Sequence, residues 1–219
     1  MKKIIDKKLI DYVEKNIFLE YENNIGGHNL DHIKTVINRC FEIIEEFNLD
    51  VNYNMIYVIA SMHDIGYKID ADNHEVVSAN MFLEDKFFKS YFNKEQIKII
   101  YEAIIDHRAS LEYDARSIYG KIVSSADRET SVDNILKRSY LYQKDKHKHE
   151  FLKPIEIIEF SYQKLSSKYG KEGYAKMYFK DQKYLDFINN MNKLLENKEE
   201  FIKRELEIAK LFNLDDKMM

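Results

Sequence analysis

The sequence predicts a nearly all-helical protein, and three observations carry that expectation. One proline and six glycines in 219 residues fall far below the roughly 5% and 7% of average usage. Apolar side chains recur at three- and four-residue spacing along most of the chain. The turn punctuation of sandwiches and barrels is missing. A folded unit of this length buries roughly 70% of its unfolded surface, so its core needs no disulfide or metal staple.

Ile4, Ile5, Leu9, Ile10, Val13 and Ile17 keep close to a 3.6-residue period and predict an N-terminal helix over 4–18. Asn23, Asn24, Gly26 and Gly27 break it. A long helix is expected from about His28 to Phe47, with Ile33, Val36, Ile37, Phe41, Ile43 and Ile44 as its stripe. Residues 54–65, NMIYVIASMHDI, are apolar on most sides, as in a buried central helix, and Gly66 is placed to end it. A fourth helix is expected over 73–84. The next, over 94–107, opens with Asn93 and Gln96 in a capping-box relation. After the loop RASLEYD, residues 115–128 and 131–142 read as one bent helix or two short ones. The stretch QKDKHKHEFLKP reads as a solvated loop, and Pro154 suits the first turn of a further helix. Three helical segments then follow, broken by KYGKEG and by the Asn-rich run near Asn189. No internal repeat is present. The expected organisation is one helical domain over 1–142 and a helical extension over 143–219 packed on it.

At 45% hydrophobic and 33% charged residues, the chain is neither disordered nor membrane-like. No run approaches the roughly 18 apolar residues of a membrane span. The start MKKIIDKKLIDYVEKN carries acidic side chains where a signal peptide is apolar, so the expected location is cytoplasmic, with no membrane partner. Thirty-four basic against thirty-eight acidic residues give no bulk attraction to nucleic acid. The single Cys40 sits inside a helical stretch and is expected to fill core space.

Five of the seven histidines, His28, His32, His63, His74 and His107, fall in the first half, each near the end of a predicted helix. Imidazole and carboxylate suit Zn, Mn, Fe and similar divalent ions, and a helical bundle builds such a pocket from several helices. His63-Asp64 follows the apolar run VIASM, where an unpartnered carboxylate would cost several kcal/mol. Asp127, in IVSSADR, is a second carboxylate at the polar end of an apolar helix. Metal coordination would satisfy both.

Taken in order, His32 in HIKTV, His63-Asp64 in MHDIG and Asp127 in SSADR resemble the HD-domain superfamily of metal-dependent phosphohydrolases, over about residues 25–135. The resemblance implies an all-α HD-domain bundle in which His32, His63, Asp64 and Asp127 bind one divalent metal ion. His74 in NHEVVSAN and His107 in IIDHRAS occupy the places of second-ion ligands in two-metal branches, with Asp64 bridging. The branches compared are those that hydrolyse dinucleoside polyphosphates or cyclic dinucleotides. The chain departs from the latter: no Gly-Tyr-Pro follows His107, and Tyr67 stands where that branch carries Lys, with Lys68 one place later. The expected activity is metal-dependent hydrolysis of a phosphoester or phosphoanhydride bond of a small phosphorylated substrate, a nucleotide for preference. Two ions of Mn, Fe, Mg, Zn or Ni would activate a water and polarise a phosphoryl oxygen.

Lys68, Arg108 and Arg128 are the candidates to hold remaining phosphate charge, each weighed against an ordinary surface cation. His28, one turn before His32, is open between a ligand, a donor to a ligand and a capping or solvent-facing residue. His147 and His149 read as solvated. Tyr140, Tyr142, Tyr162, Tyr169, Tyr174 and Tyr178 read as helix-packing aromatics more readily than as base-stacking ones, and the C-terminal helices leave a homodimer open. The rivals are a non-catalytic metal-dependent nucleotide-binding or regulatory module and a di-iron oxygenase on the same scaffold.

Overall fold

In the computed structural model, residues 4–21, 28–175 and 177–214 are described. They form eleven α-helices and, among the described residues, no strand. The expected break at Asn23 to Gly27 lies outside them. No helix among the described residues is long and apolar enough to cross a membrane. The chain divides into two compact units, Met1–Arg128 with Lys176–Phe179, and Glu129–Ala175 with Lys180–Met219. The division falls after Arg128 rather than after 142, because the helix that follows packs on the C-terminal helices.

The first unit begins with α1 (Lys7–Tyr12), capped by the Asp6 carboxylate at Lys8 N. The chain then loosens into a π-helical Val13–Ile17 within the single helix expected over 4–18, and tightens into a 3₁₀ Phe18–Tyr21. Two helices carry most of the core. α2 (Leu30–Glu46) is capped by the Asn29 side chain at His32 N and buries Ile33, Val36, Ile37, Cys40, Ile43 and Ile44 on one stripe. It ends where Asn48 takes φ 48°, a left-handed conformation that Asn tolerates. α3 (Tyr53–Met62) buries every residue but Asn54, which is why its sequence shows no polar face. It packs on α2, on α6 (Lys94–Ile105) and on α7 (Ile118–Ala126). α4 (His74–Glu84) lies against α6, and a short α5 (Lys86–Tyr91) follows it. The Asn93–Gln96 capping box at the start of α6 is formed.

α3 ends at Met62, one residue before the His-Asp pair, so Gly66 does not terminate it. Gly66 is instead a close-approach glycine in the turn that follows. A Cβ there would lie 2.7 Å from Ser78 N and 2.8 Å from His74 O, and the Gly66 N–H donates to Ser78 Oγ at 2.9 Å. The loop after α6 is tied back by Asp106, fully buried, which accepts from Arg116 Nη2 at 2.7 Å and Arg116 N at 2.7 Å. Residues 177–179 return to this unit: Tyr178 OH accepts from Ala115 N at 2.8 Å and Phe179 packs on Phe47.

The second unit contains α8 (Val132–Lys146), α9 (Pro154–Tyr169), α10 (Gln182–Glu196) and α11 (Lys198–Leu211). α8 runs four residues into the stretch expected as loop, and α10 passes unbroken through Asn189; the break falls at Asn197, which caps α11 through Glu200 N. Pro154 opens α9, and Lys153 N donates to Glu156 Oε2 at 2.8 Å. Tyr140 and Tyr169 are buried, and Tyr162 OH donates to Leu195 O, the packing role that the sequence favours. Tyr142 is half-exposed under the Lys164 ammonium. Inside the unit, Glu205 is fully buried and bonded to Ser161 Oγ at 2.5 Å, which also bonds to Ser139 Oγ at 2.6 Å.

Candidate metal centre

Helix ends place the polar side chains. His32 lies in the first turn of α2, His74 is the first residue of α4, His63 caps the C-terminus of α3, Asp127 caps that of α7, and His107 follows the cap of α6. Because α3 has already ended, His63 and Asp64 sit in a turn and can face the same space, which two adjacent residues of a helix could not.

Three of the imidazoles are fixed in the same way. Nδ1 of His63 meets Ala60 O at 2.8 Å, Nδ1 of His74 meets Ala71 O at 3.0 Å, and Nδ1 of His107 meets Ile104 O at 2.6 Å. A carbonyl only accepts, so each Nδ1 carries a proton and each ring turns Nε2 inward. For His63 and His107, the acceptors are carbonyls of the last helical turn, which have no partner within the helix.

The inward atoms form two groups. His32 Nε2, His63 Nε2, Asp64 and Asp127 make one; Asp64, His74 Nε2 and His107 Nε2 make the other. In the first, His32 Nε2 lies 3.1 Å from Asp127 Oδ1 and 3.5 Å from Asp64 Oδ2, and His63 Nε2 lies 3.3 Å from Asp64 Oδ2 and 3.7 Å from Asp127 Oδ1. In the second, Asp64 Oδ1 is 3.3 Å from His74 Nε2 and 3.6 Å from His107 Nε2, which are 3.2 Å from each other. The two oxygens of Asp64 thus serve one group each.

These residues fit divalent ions. Two donor atoms that share an ion at about 2.1 Å lie about 3.0 Å apart in octahedral geometry and about 3.4 Å apart in tetrahedral geometry, and the separations in the two groups, 3.1–3.7 Å, lie within a few tenths of an ångström of those values. His32 Nε2 and His63 Nε2 are buried without a hydrogen-bond partner, since the nearby carboxylate oxygens are out of line for a hydrogen bond. The facing Nε2 atoms of His74 and His107 present two lone pairs to one another, an arrangement that a shared cation relieves.

Electrostatics distinguish the groups. Burial opposes charge on His63, yet Asp64 and Asp127 outweigh it and raise its pKa well above the usual imidazole value; His32 is raised in the same way. Burial also opposes charge on Asp64 and Asp127, yet the imidazoles hold both carboxyls well below their usual range. For His74, burial and the neighbouring His107 lower the pKa despite the pull of Asp64.

The three cations expected to meet substrate are placed differently. Lys68 is exposed beside the turn. Arg108 is part-exposed, and its Nη1 donates to Asp72 O at 2.5 Å and to Glu75 Oε1 at 3.0 Å. Arg128 is 8% exposed. Its Nη2 donates to Ser124 Oγ at 2.9 Å and to His107 O at 3.2 Å, and its Nη1 lies 3.5 Å from Asp127 Oδ2. The sequence reading gives Arg128 a share of substrate charge; in the structure its guanidinium ties the ends of α6 and α7 together through His107 O and Ser124. His28, left open in the sequence, approaches Asp64 Oδ2 with Nδ1 at 2.6 Å and stacks on Tyr67 with ring centroids 3.8 Å apart. Only its spacing from His32 signals it. Tyr67 carries no signal beyond its place after the HDIG run.

Comparison with known proteins is consistent with this geometry. The family described as HD domain matches residues 29–131. A Clostridium beijerinckii protein described as uncharacterised is 33% identical over 107 residues, which is 47% of this chain and 67% of that relative. No solved structure matches the chain significantly. The ordered His, His-Asp and Asp set lies wholly within the matched segment, and the chain belongs to the HD-domain superfamily.

Proposed function

We propose that the protein is a metal-dependent phosphohydrolase that cleaves a phosphoester or phosphoanhydride bond of a small phosphorylated substrate, a nucleotide in the reading that the family favours. The observation that supports it most is the pair of buried Nε2 atoms, His32 and His63, without hydrogen-bond partners but 3.1–3.7 Å from carboxylate oxygens. In this reading, His32, His63, Asp64 and Asp127 would hold one ion, and Asp64, His74 and His107 would hold a second. Divalent ions supply the Lewis acidity that makes water a nucleophile at neutral pH and draws charge from a phosphoryl oxygen.

The protein's own groups do the rest. The backbone tethers on Nδ1 keep three rings from turning, so binding an ion requires little reorganisation. Lys68 and the outer face of Arg108 offer positive charge to phosphate oxygens, and Arg128 holds Asp127 and the His107 segment in register. The test is release of phosphate or nucleotide from a panel of nucleotides and phosphoesters by Mn²⁺- or Mg²⁺-loaded protein. His63→Ala and Asp64→Ala should lose both activity and bound metal while keeping the helical signal. Oxygen consumption by iron-loaded protein, with no phosphate released from any compound, would replace this reading by an oxygenase.

A further inference from the structure

Five imidazoles surround the Asp64 carboxylate, and four of them face it with the Nε2 atoms of the two candidate metal groups. The fifth, His28, differs in kind. Its Nδ1 lies 2.6 Å from Asp64 Oδ2, whereas atoms that share an ion at about 2.1 Å cannot approach closer than about 3.0 Å at right angles. That separation is a charge-assisted hydrogen bond, with Nδ1–H donating to the carboxylate. The ring is itself held, stacked on Tyr67 at a centroid distance of 3.8 Å and an interplanar angle of 17°, and only 18% of its side chain is exposed.

The hydrogen bond matters because of how a carboxylate turns. Rotation about the Cβ–Cγ bond of Asp is soft and two-fold, and it decides which oxygen faces which group of ligands. If ions take the Nε2 atoms of His32, His63, His74 and His107, those rings are spent on coordination and offer Asp64 no hydrogen bond. His28 then remains as a donor that is not spent on coordination. Resting on the two-ion reading above, we infer that His28 is the positioning residue of the shared carboxylate. It holds Oδ2 toward the His32–His63–Asp127 group and thereby aims Oδ1 at His74 and His107, with the Tyr67 ring as its support. An outer donor of this kind is worth about 10–100-fold in metal affinity.

Calorimetric titration of Mn²⁺ into metal-stripped protein tests this without reference to activity. His28→Phe keeps a ring to stack on Tyr67 and removes the donor; His28→Asn removes the ring and keeps an N–H near the place of Nδ1. The expected result is a fall in Mn²⁺ affinity of about 10–100-fold in His28→Phe, with unchanged helicity, and recovery of most of it in His28→Asn. Tyr67→Ala should lower affinity several-fold, and it carries the test if His28→Phe does not fold. Wild-type affinity in His28→Phe, or in Tyr67→Ala where that variant must serve, would overturn the inference. So would the loss of one whole ion in both His28 variants, which would make His28 a ligand. Wild-type protein that takes up no Mn²⁺ would overturn the metal reading itself, and this inference with it.

Discussion

Glu205 permits a quantitative test of the second unit. Its side chain is fully buried where α8, α9 and α11 meet, Oε1 is bonded to Ser161, and Oε2 has no partner. Burial raises its pKa from 4.5 to about 8, against a smaller opposing effect of the Ser161 hydrogen bond. The folded protein therefore keeps a proton that the unfolded chain gives up above pH 4.5, and stability must fall as pH rises between those values. At about 1.4 kcal/mol per pH unit, the loss is about 1 kcal/mol at pH 5 and about 4 kcal/mol at pH 8, levelling off above that. Glu205→Gln has nearly the same shape and does not titrate. Urea unfolding of both proteins at pH 5, 6, 7 and 8, followed by circular dichroism, should show wild type losing about 3–4 kcal/mol more than the variant across the series. The other titrating groups cancel in that difference. Parallel pH curves would refute the reasoning, because they would mean that Glu205 ionises in the folded protein as readily as in the unfolded chain.

Other outcomes follow from the same structure. On the proposed two-ion reading, His74→Ala and His107→Ala should each lower the Mn²⁺ content from two per chain toward one, whereas His32→Ala and Asp127→Ala should weaken the first group, as read by elemental analysis. Mn²⁺ affinity should rise with pH through the range in which the raised His32 and His63 lose their protons, since ion and proton compete for the same Nε2 atoms. Gly66→Ala forces a methyl to 2.7–2.8 Å from backbone atoms of the α4 start and should cost about 2–3 kcal/mol in thermal or urea unfolding. Arg128→Ala should destabilise by about 1–3 kcal/mol, because the His107 carbonyl and Ser124 lose their buried donor, whereas Lys68→Ala should leave stability within about 0.5 kcal/mol.

The sequence made the long helices visible because burial on one side imposes a 3.6-residue period: the buried stripe of α2 and the nearly uniform apolarity of α3 both follow from where those helices sit. It made the ligand candidates visible because a carboxylate in an apolar setting, as at Asp64 and Asp127, requires a partner. It could not show α5, whose six residues contain only one fully buried side chain, Phe88, too few for a period to emerge. Asn189 looked like a break on composition, but the apolar stripe of Tyr184, Phe187, Met191 and Leu195 holds the helix together through it. Gly66 looked like a helix terminator because glycine commonly is one; the need for a missing Cβ arises from the start of α4, which local sequence does not reveal. Arg128 and His28 were ambiguous for the same reason, since their partners, the His107 carbonyl and the Asp64 carboxylate, are distant in the chain.

The helix ends that carry His63, His107 and Asp127 are all carboxyl-terminal, and such an end bears about half an elementary negative charge. Three of them run out at a place already occupied by the carboxylates of Asp64 and Asp127. The amino-terminal ends of α2 and α4, at His32 and His74, offset part of that charge, yet the two carboxylates leave the scaffold itself better suited to cations than to phosphate. In the proposed enzyme, the order of arrival then follows from the carboxylates. A phosphorylated compound finds an attractive surface only after ions have added positive charge beside Asp64 and Asp127, so substrate binding is conditional on metal, and inorganic phosphate should bind to the Mn²⁺-loaded protein more tightly than to the stripped one.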